Sequence, residues 1–452
     1  MSRLALTLAA LLCAAAPAAL AQPAPQPAAQ QAPAQPAERF TPRQAAGAVA
    51  ETIEALYFDA AKAKSVADSL RAAAARGDFD RYADPRELSV VLGNWLAPYD
   101  AHFSVAWSAD TPSPPPGGVR GPGGPGPGAA PLGPPPEALL AARRANYWLR
   151  RAEVLPGNIG YLDMRQFADI DFEDANDPAR RAIDAAISFT GGADALIIDL
   201  RDNGGGSPAM VGYLTSAFTP KGADIFNTFH NREGTISEAP PTPYASPNLT
   251  IPVYILISGR TGSAAEAFAY TMQSAKRAIV VGEASAGAAN PGGRVPVGGG
   301  YAVFVSMGSP INPITHRNWE GTGVAPDVAV PAAQALARAQ SMALEGAAKG
   351  LQEPFLTENR WAAEAIAPAP FQADLAAYPG NYNGVTIEQY ADGLHYVRDR
   401  RPHWVLYPVA ADTFAVRGEP GRRLHFRREG GRVVALEVLT PDGPSGLYRR
   451  AG

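Results

Sequence analysis

A serine stands between a predicted strand and a predicted helix in the middle of the chain. Residues 251–258 form a short apolar run rich in Ile, which indicates a buried strand. Residues 264–276 are rich in Ala and favour a helix. Ser263 lies on the turn between them, so its hydroxyl is expected beside the free N–H groups of the helix. This placement suits a nucleophile, and it equally suits a helix cap with Glu266 completing a capping box.

Two histidines are candidates for the base that such a serine needs. His102 stands at the start of a strand predicted over 103–107, and His316 lies in a polar loop. A neutral imidazole can take the hydroxyl proton and return it to a leaving amine. Each histidine also has a plain structural interpretation, His102 as the end of a strand and His316 as a loop residue.

The elements around Ser263 alternate between strand and helix. Such alternation predicts an α/β layered domain with a largely parallel sheet. The predicted strands are 157–164, 195–200, 251–258 and 278–281, and the predicted helices are 177–189, a helix ending near Phe218, and 264–276. Residues 301–307 alternate polar and apolar side chains and are predicted to add a further strand.

The N-terminal part of the chain predicts export and a small helical domain. Residues 1–21 combine a basic start, an apolar stretch and small residues, which predicts a signal peptide and a periplasmic or extracellular protein. Residues 22–39 are rich in Pro, Ala and Gln and are predicted to form a disordered tether. Residues 40–98 have helical periodicity, beginning with Thr41 as N-cap and Pro42 at the first helical position.

The remaining chain divides into a core, a linker and a β domain. The α/β core is predicted over 99–345 and contains a Pro/Gly-rich loop at 111–136. Residues 346–372 link it to residues 373–452. In that last stretch, short alternating segments separated by Gly and Asp turns predict a small antiparallel β domain.

Composition excludes several classes of function. The formal charge of the 452 residues is −4 and no basic stripe occurs, so no nucleic-acid partner is predicted. Outside the signal peptide, no run of about 18 apolar residues predicts a membrane span. Cys13, the single cysteine, lies within that peptide, which excludes a Cys nucleophile or Cys-ligated metal from the mature chain. The glycine turn at 204–206 lacks the dinucleotide spacing, and neither a cofactor nor a metal is predicted.

Six motifs in order carry a family resemblance over roughly residues 40–340. They are D-A-H-F, G-N-I-G-Y-L-D-M-R-Q-F, L-I-I-D-L-R-D-N-G-G-G, T-G-S-A-A-E-A-F-A, R-A-I-V-V-G-E and N-W-E-G-T-G-V-A-P-D-V. Together they resemble the C-terminal processing (tail-specific) serine peptidases, which include the tricorn core and the interphotoreceptor retinoid-binding protein. The resemblance implies a crotonase-related (ClpP/crotonase-like) α/β fold. The PDZ module of other members has no counterpart here.

The resemblance assigns roles to particular residues. It implies that Ser263 is the nucleophile. Members with a Ser–Lys dyad carry the base in an F-G-K-G motif, and Ala288 occupies that lysine position here. The tricorn-like branch instead uses a histidine and a glutamate, which match His102 and Glu320.

An oxyanion hole is implied by the same resemblance. The tetrahedral intermediate needs fixed N–H donors. Ala264 at the helix start is one, and the glycine turn supplies the second at Gly205, with Gly204 as its neighbour. If the family resemblance is set aside, the glycines of this turn are explained by a tight loop whose residues need positive φ.

Several alternatives stay open at this stage. Lys276 is an alternative base, although it ends the helix, where a cation complements the dipole. Asp100 is an alternative to Glu320 as the acid that orients the base, and Glu320 is alternatively an exposed loop acid. The predicted function is a secreted, cofactor-free serine endopeptidase that acts on peptides or unfolded proteins. The alternative is a non-catalytic ligand- or protein-binding module of the cell envelope on the same fold.

Overall fold

The computed structural model of the protein describes residues 39–111, 136–369 and 371–452. The predicted signal peptide, the predicted tether up to residue 38 and residues 112–135 of the predicted Pro/Gly loop lie outside the described residues. None of the helices within the described ranges is long and apolar enough to cross a membrane.

Three helices and a short strand form the N-terminal part. They are α1 (Pro42–Leu56), α2 (Ala60–Arg76), α3 (Pro85–Leu96) and β1 (Ser104–Trp107). The predicted start of α1 is confirmed, since the Thr41 hydroxyl accepts the Gln44 N–H and the Gln44 side chain accepts the Thr41 N–H. The carboxylates of Asp59 and Asp84 cap the next two helices by accepting backbone N–H groups of the first turn.

The central part alternates strands and helices, as predicted. Its elements are α4 (Pro136–Arg144), β2 (Leu149–Leu155), β3 (Ile159–Met164), α5 (Pro178–Phe189), β4 (Ala195–Asp199), α6 (Pro208–Ser216), β5 (Thr228–Asn231), β6 (Thr235–Ser237), β7 (Val253–Ile257), α7 (Ala264–Ser274) and β8 (Ala278–Gly282). Helix α4 ends before β2 because Asn146, Tyr147 and Trp148 all adopt positive φ.

Further strands and two helices follow. They are β9 (Gly292–Gly298), β10 (Tyr301–Ser306), β11 (Gly308–Ile311), β12 (Val328–Ala329), α8 (Ala332–Ala347) and α9 (Phe355–Ile366). The strand predicted over 301–307 is present as β10. It pairs with β1 and β9 in a separate three-stranded sheet packed under the N-terminal helices, and it does not join the central sheet.

A six-stranded sheet is the centre of the fold, with the order β12-β8-β7-β4-β3-β2. All neighbouring pairs are parallel except β2–β3. Successive side chains of a strand point to opposite faces. Thus Ile198 and Ile255 pack with α5, α6 and α7, whereas Ile197 and Leu256 pack with α8 and α9 on the other face. This confirms a layered α/β fold, and its relation to crotonase stays a prediction.

The C-terminal part is a single eight-stranded antiparallel sheet, which confirms the predicted β character. Its strands are β13 (Gly380–Tyr382), β14 (Val385–Tyr390), β15 (Gly393–Val397), β16 (Trp404–Ala410), β17 (Thr413–Val416), β18 (Glu419–Glu429), β19 (Arg432–Thr440) and β20 (Gly443–Arg449). A bridge between Tyr382 and Arg450 brings the first and last strands together, so the sheet nearly closes into a barrel. Its interior is filled by contacting aromatic rings, including Tyr378, Phe414 and Phe426.

The central sheet generates a stability prediction. Ile255 is fully buried in β7, whereas Ile279 in the neighbouring β8 is 37% exposed. We expect Ile255→Ala to lower the free energy of unfolding by about 2–5 kcal/mol, because it leaves a cavity in a core that packs on both sides. The matched Ile279→Ala is expected to cost about 1 kcal/mol or less. Urea unfolding followed by circular dichroism measures both, and equal losses would contradict the assignment of β7 to the sheet centre.

Candidate active site

Ser263 occupies the elbow between β7 and α7 that the sequence predicted. Its backbone has φ 51° and ψ −121°, a region that a serine enters only at a cost of about 1–3 kcal/mol. Gly262 donates its N–H to the Asn203 carbonyl at 3.0 Å, which holds the turn before the helix. The Ser263 side chain is exposed and makes no cap hydrogen bond. The structure therefore presents a serine hydroxyl at the amino end of a helix.

Glu266 holds this elbow from inside the protein. Its side chain is fully buried, and its Oε2 accepts the Ser263 N–H at 2.8 Å and the Ala288 N–H at 2.9 Å. The other oxygen, Oε1, accepts the Ser285 hydroxyl at 2.5 Å and the Gly287 N–H at 2.7 Å. Four donors thus satisfy the carboxylate without an ion pair. The predicted cap residue therefore also fixes the segment that follows β8.

His102 reaches the site from the turn before β1. Its Nδ1 lies 3.1 Å from the Asp100 Oδ1 and 3.1 Å from the Glu320 Oε1. The ring also stacks on Phe304 of β10, with centroids 6.0 Å apart. Hydrogen bonds to Asp100 and then to Glu320 favour the imidazolium, and they raise the pKa of His102 to about 10 although burial opposes this.

Glu320 is fixed by the same segment that binds Glu266. Its Oε2 accepts the N–H groups of Ala289 at 2.9 Å and Asn290 at 3.0 Å. Four consecutive amides, 287–290, therefore donate to two carboxylates, the first pair to Glu266 and the second pair to Glu320. Ala288, in the position of the family's dyad lysine, contributes only its backbone N–H.

Gly205, which is predicted to belong to an oxyanion hole, lies against Ser263. A Cβ atom at this position would lie 2.7 Å from the Ser263 Cβ and 3.2 Å from the Ala264 N, so only glycine fits here. The Gly205 N–H, however, donates to the Asn203 Oδ1 at 2.9 Å. An oxyanion donor at Gly205 therefore stays a prediction, and it requires that bond to open. The N–H of Ala264, the first residue of α7, has no carbonyl one turn earlier in the helix to accept it.

The structure links the predicted residues without joining all of them directly. Ser263, Ala264 and Gly205 are in contact, and His102 contacts Glu320. No hydrogen bond between the His102 ring and the Ser263 hydroxyl is found among the described residues. The 287–290 segment connects the two groups through Glu266 and Glu320.

The alternative bases fit less well. Lys276 follows the C-cap of α7, at the opposite end from Ser263 of a helix whose 11 residues span about 16 Å. His316 lies on an exposed turn with φ 55°. Asp100, the alternative acid, does contact His102. One ligand atom each of Asp100, His102 and Glu320 lies within 4.8 Å of the others, a grouping that the contacts of the imidazole with the two carboxylates already account for.

Sequence reasoning did not find two supporting residues. Asn203 fixes both sides of the elbow, since its backbone oxygen accepts the Gly262 N–H and its side chain accepts the Gly205 N–H. Ser285 bonds Glu266 and also accepts the Val324 N–H at 2.6 Å. An Asn before three glycines is a recognisable signal, whereas nothing local marks Ser285.

The buried carboxylate at the elbow generates a second prediction. In Glu266→Gln an amide NH₂ must face two of the four donors, so those donors lose their acceptor while the side chain keeps its shape. We expect the free energy of unfolding to fall by about 2–4 kcal/mol. The control Glu283→Gln alters an exposed side chain that accepts one N–H, from Ala332 at 2.8 Å, and is expected to lose about 1 kcal/mol or less. Chemical denaturation measures both, and an unchanged Glu266→Gln variant would show that the four bonds contribute little.

Comparison with known proteins agrees with this architecture. Residues 158–330 match the model of peptidase family S41, a segment that contains Ser263 and Glu320 and begins after His102. The chain is 26% identical over 201 residues to carboxyl-terminal-processing peptidase 1, chloroplastic, of Arabidopsis thaliana, a match covering 43% of this chain and 39% of that protein. It is 28% identical over 174 residues to a carboxy-terminal-processing protease of Bartonella bacilliformis, covering 38% of this chain and 39% of that protein.

These matches leave much of each relative uncovered. The chain spans about two fifths of the length of the curated relatives it matches. A solved putative peptidase of Parabacteroides merdae is 18% identical, with a TM-score of 0.42 over 65% of this chain and 90% of that one. The resemblance predicted from the motifs is confirmed by the family match and the processing-protease relatives. Residues 158–330 of this chain are thus similar to peptidase family S41.

Proposed function

We propose that this chain is a serine peptidase in which Ser263 attacks the carbonyl carbon of a peptide bond. The observation that carries the proposal is the backbone of Ser263, held at positive φ with an exposed side chain at the start of α7. A helix cap has no need of such a strained conformation, whereas a nucleophile presented from a sharp turn does. The S41 match over the same elbow and the processing-protease relatives support the hydrolysis of peptide bonds.

His102 is the proposed base. Its Nδ1 faces two carboxylates, so Nε2 is the nitrogen available for the serine proton. As that proton moves to Nε2, the ring becomes an imidazolium, which the negative charge of Glu320 stabilises. The imidazolium then protonates the leaving amine, and a water attacks the acyl-enzyme with the help of the same base. Catalytic hydrogen bonds are often long before substrate binds, and the proposal requires the ring to meet Ser263 in the substrate complex.

The oxyanion is the second requirement of the reaction. Ala264 N–H stands at the amino end of α7, where the helix dipole favours a negative oxygen. Gly205 supplies the second N–H in this proposal after leaving Asn203. A Ser–Lys dyad at the family's lysine position is not proposed, because Ala288 has no side-chain amine.

The substrate and location follow from the sequence. We propose peptides or unfolded protein segments as substrates, because an extended main chain can approach the exposed Ser263 side chain. Residues 1–21 are proposed to direct export, which places the enzyme in the periplasm or outside the cell.

Replacing the nucleophile tests the reaction. Ser263→Ala is expected to abolish labelling by a fluorophosphonate probe and to reduce cleavage of a quenched fluorescent peptide library by at least about 10³-fold, because no other group can form the acyl-enzyme. Ser274→Ala, in the last turn of the same helix, is the matched control and is expected to retain labelling. Equal labelling of both variants would overturn the assignment of Ser263. An unlabelled parent protein that cleaves nothing would favour a binding module.

The contacts of His102 predict the pH dependence. Since a raised pKa keeps the imidazole protonated, the base form is scarce at pH 7, and kcat/KM is expected to rise with pH between the ordinary imidazole range and about pH 10. Glu320→Gln removes the negative charge of one of the two acceptors, and it is expected to move the acidic limb of the rate profile to lower pH by about 1 unit or more. Rate profiles on one peptide from pH 5 to 10 measure it. If the acidic limb of the rate profile lies at the ordinary imidazole pKa in both the parent protein and Glu320→Gln, the proposed role of Glu320 is contradicted.

A further inference from the structure

We propose that Asp100 is a positioning residue for His102, and that it fixes the orientation of the imidazole while Glu320 complements its charge. The inference rests on the proposed function and adds a residue outside the S41-matched segment. It concerns how the base is held, and it predicts different consequences for the loss of each carboxylate.

Asp100 binds His102 twice. One oxygen, Oδ1, accepts the His102 N–H at 2.8 Å and lies 3.1 Å from its Nδ1. The backbone and the ring of His102 are therefore oriented by the same carboxylate. The second oxygen, Oδ2, accepts the Ser306 hydroxyl of β10 at 3.0 Å. Because β10 pairs with β1, this bond ties the turn of His102 to the strand beside it.

The two carboxylates differ in how firmly they are held. The Asp100 side chain is 3% exposed and the Glu320 side chain 24% exposed. Glu320 stands in a loop, where its other oxygen is used by the amides of 289 and 290. Nδ1 carries a single proton, and two acceptors at 3.1 Å compete for it. The better-buried acceptor, which also binds the backbone, sets the ring orientation.

Further charged and aromatic groups surround the Asp100 side chain. Tyr57 at the end of α1 faces it, and burial together with the charge of Asp100 raises the pKa of this phenol. Tyr57 is also within the influence of Asp59 and Glu320, whereas two cations contact Tyr57 itself: Lys62 lies over its ring at 5.6 Å, and Arg232 donates to its carbonyl oxygen at 2.7 Å. The His102 ring is the group that contacts both Asp100 and Glu320, each at 3.1 Å from its Nδ1.

Asp100→Asn tests the proposal with Asp177→Asn as the matched control. As whole residues both aspartates are 8% exposed, and both accept backbone N–H groups, but Asp177 caps α5 away from the site. We expect Asp100→Asn to lower kcat by about 10²–10⁴-fold with KM little changed, because the ring loses its fixed tautomer and orientation. We also expect the acid limb of kcat to move to lower pH. Asp177→Asn is expected to leave kcat and the limb unchanged.

Ser306→Ala provides a second variant if Asp100→Asn fails to fold. It removes only the bond to Oδ2 and is expected to reduce kcat by about 2- to 10-fold. If kcat is unchanged in Ser306→Ala, and Asp100→Asn loses no more than Asp177→Asn, the positioning role is overturned.

An NMR titration separates this inference from the proposed function. In the Ser263→Ala background, the His102 ring resonance, identified by its loss in His102→Gln, is titrated with and without Asp100→Asn. A lower imidazole pKa without Asp100 supports the positioning contact even if the parent protein hydrolyses nothing. An unchanged imidazole pKa overturns the inference even if Ser263 proves to be the nucleophile.

Discussion

The carboxylates of Glu266 and Glu320 both need hydrogen-bond donors, and the backbone N–H groups of residues 287–290 donate to both. The first two amides bind Glu266 and the next two bind Glu320. Because an unsatisfied buried carboxylate is costly, this segment has little freedom to adopt another path. It therefore sets the spacing between the serine elbow, which Glu266 holds, and the histidine, which Glu320 contacts. The rest of the site depends on this short stretch of backbone.

The histidine is delivered by a different part of the fold. β1 follows the N-terminal helices and pairs with β10, which belongs to the segment after the serine. Apolar side chains of α1, α2 and α3 pack against β10 and form one core with it. The position of the imidazole thus depends on the packing of an accessory helical layer as well as on the central sheet. Loosening that layer would separate the base from the carboxylates, although the serine elbow would stay intact.

Local features of the site could be predicted from the sequence, and non-local ones could not. The elbow at Ser263 follows from an apolar strand, a turn glycine and a helix, all within about 25 residues. The pairing of β1 with β10 joins residues nearly 200 positions apart, and no periodicity reveals such a partner. Asp100 was predicted only as an alternative acid for His102, because in an extended strand residues two apart point the same way but lie well apart. The chain instead makes a turn at Asp100, which brings the two side chains together. The roles of Asn203 and Ser285 depend on bonds that form only once the loops are assembled.

The near-closure of the C-terminal sheet has a further consequence. The first strand and the residue after the last one bridge at Tyr382 and Arg450, and Ala451 donates its N–H to the Asn381 carbonyl at 2.8 Å. Along this seam, main-chain groups that would otherwise face solvent are occupied within the same molecule. Unpaired edge strands can pair with strands of other molecules, which leads to aggregation. The seam therefore protects this part of the chain against intermolecular strand addition, a property of value to a protein that must fold without a disulfide.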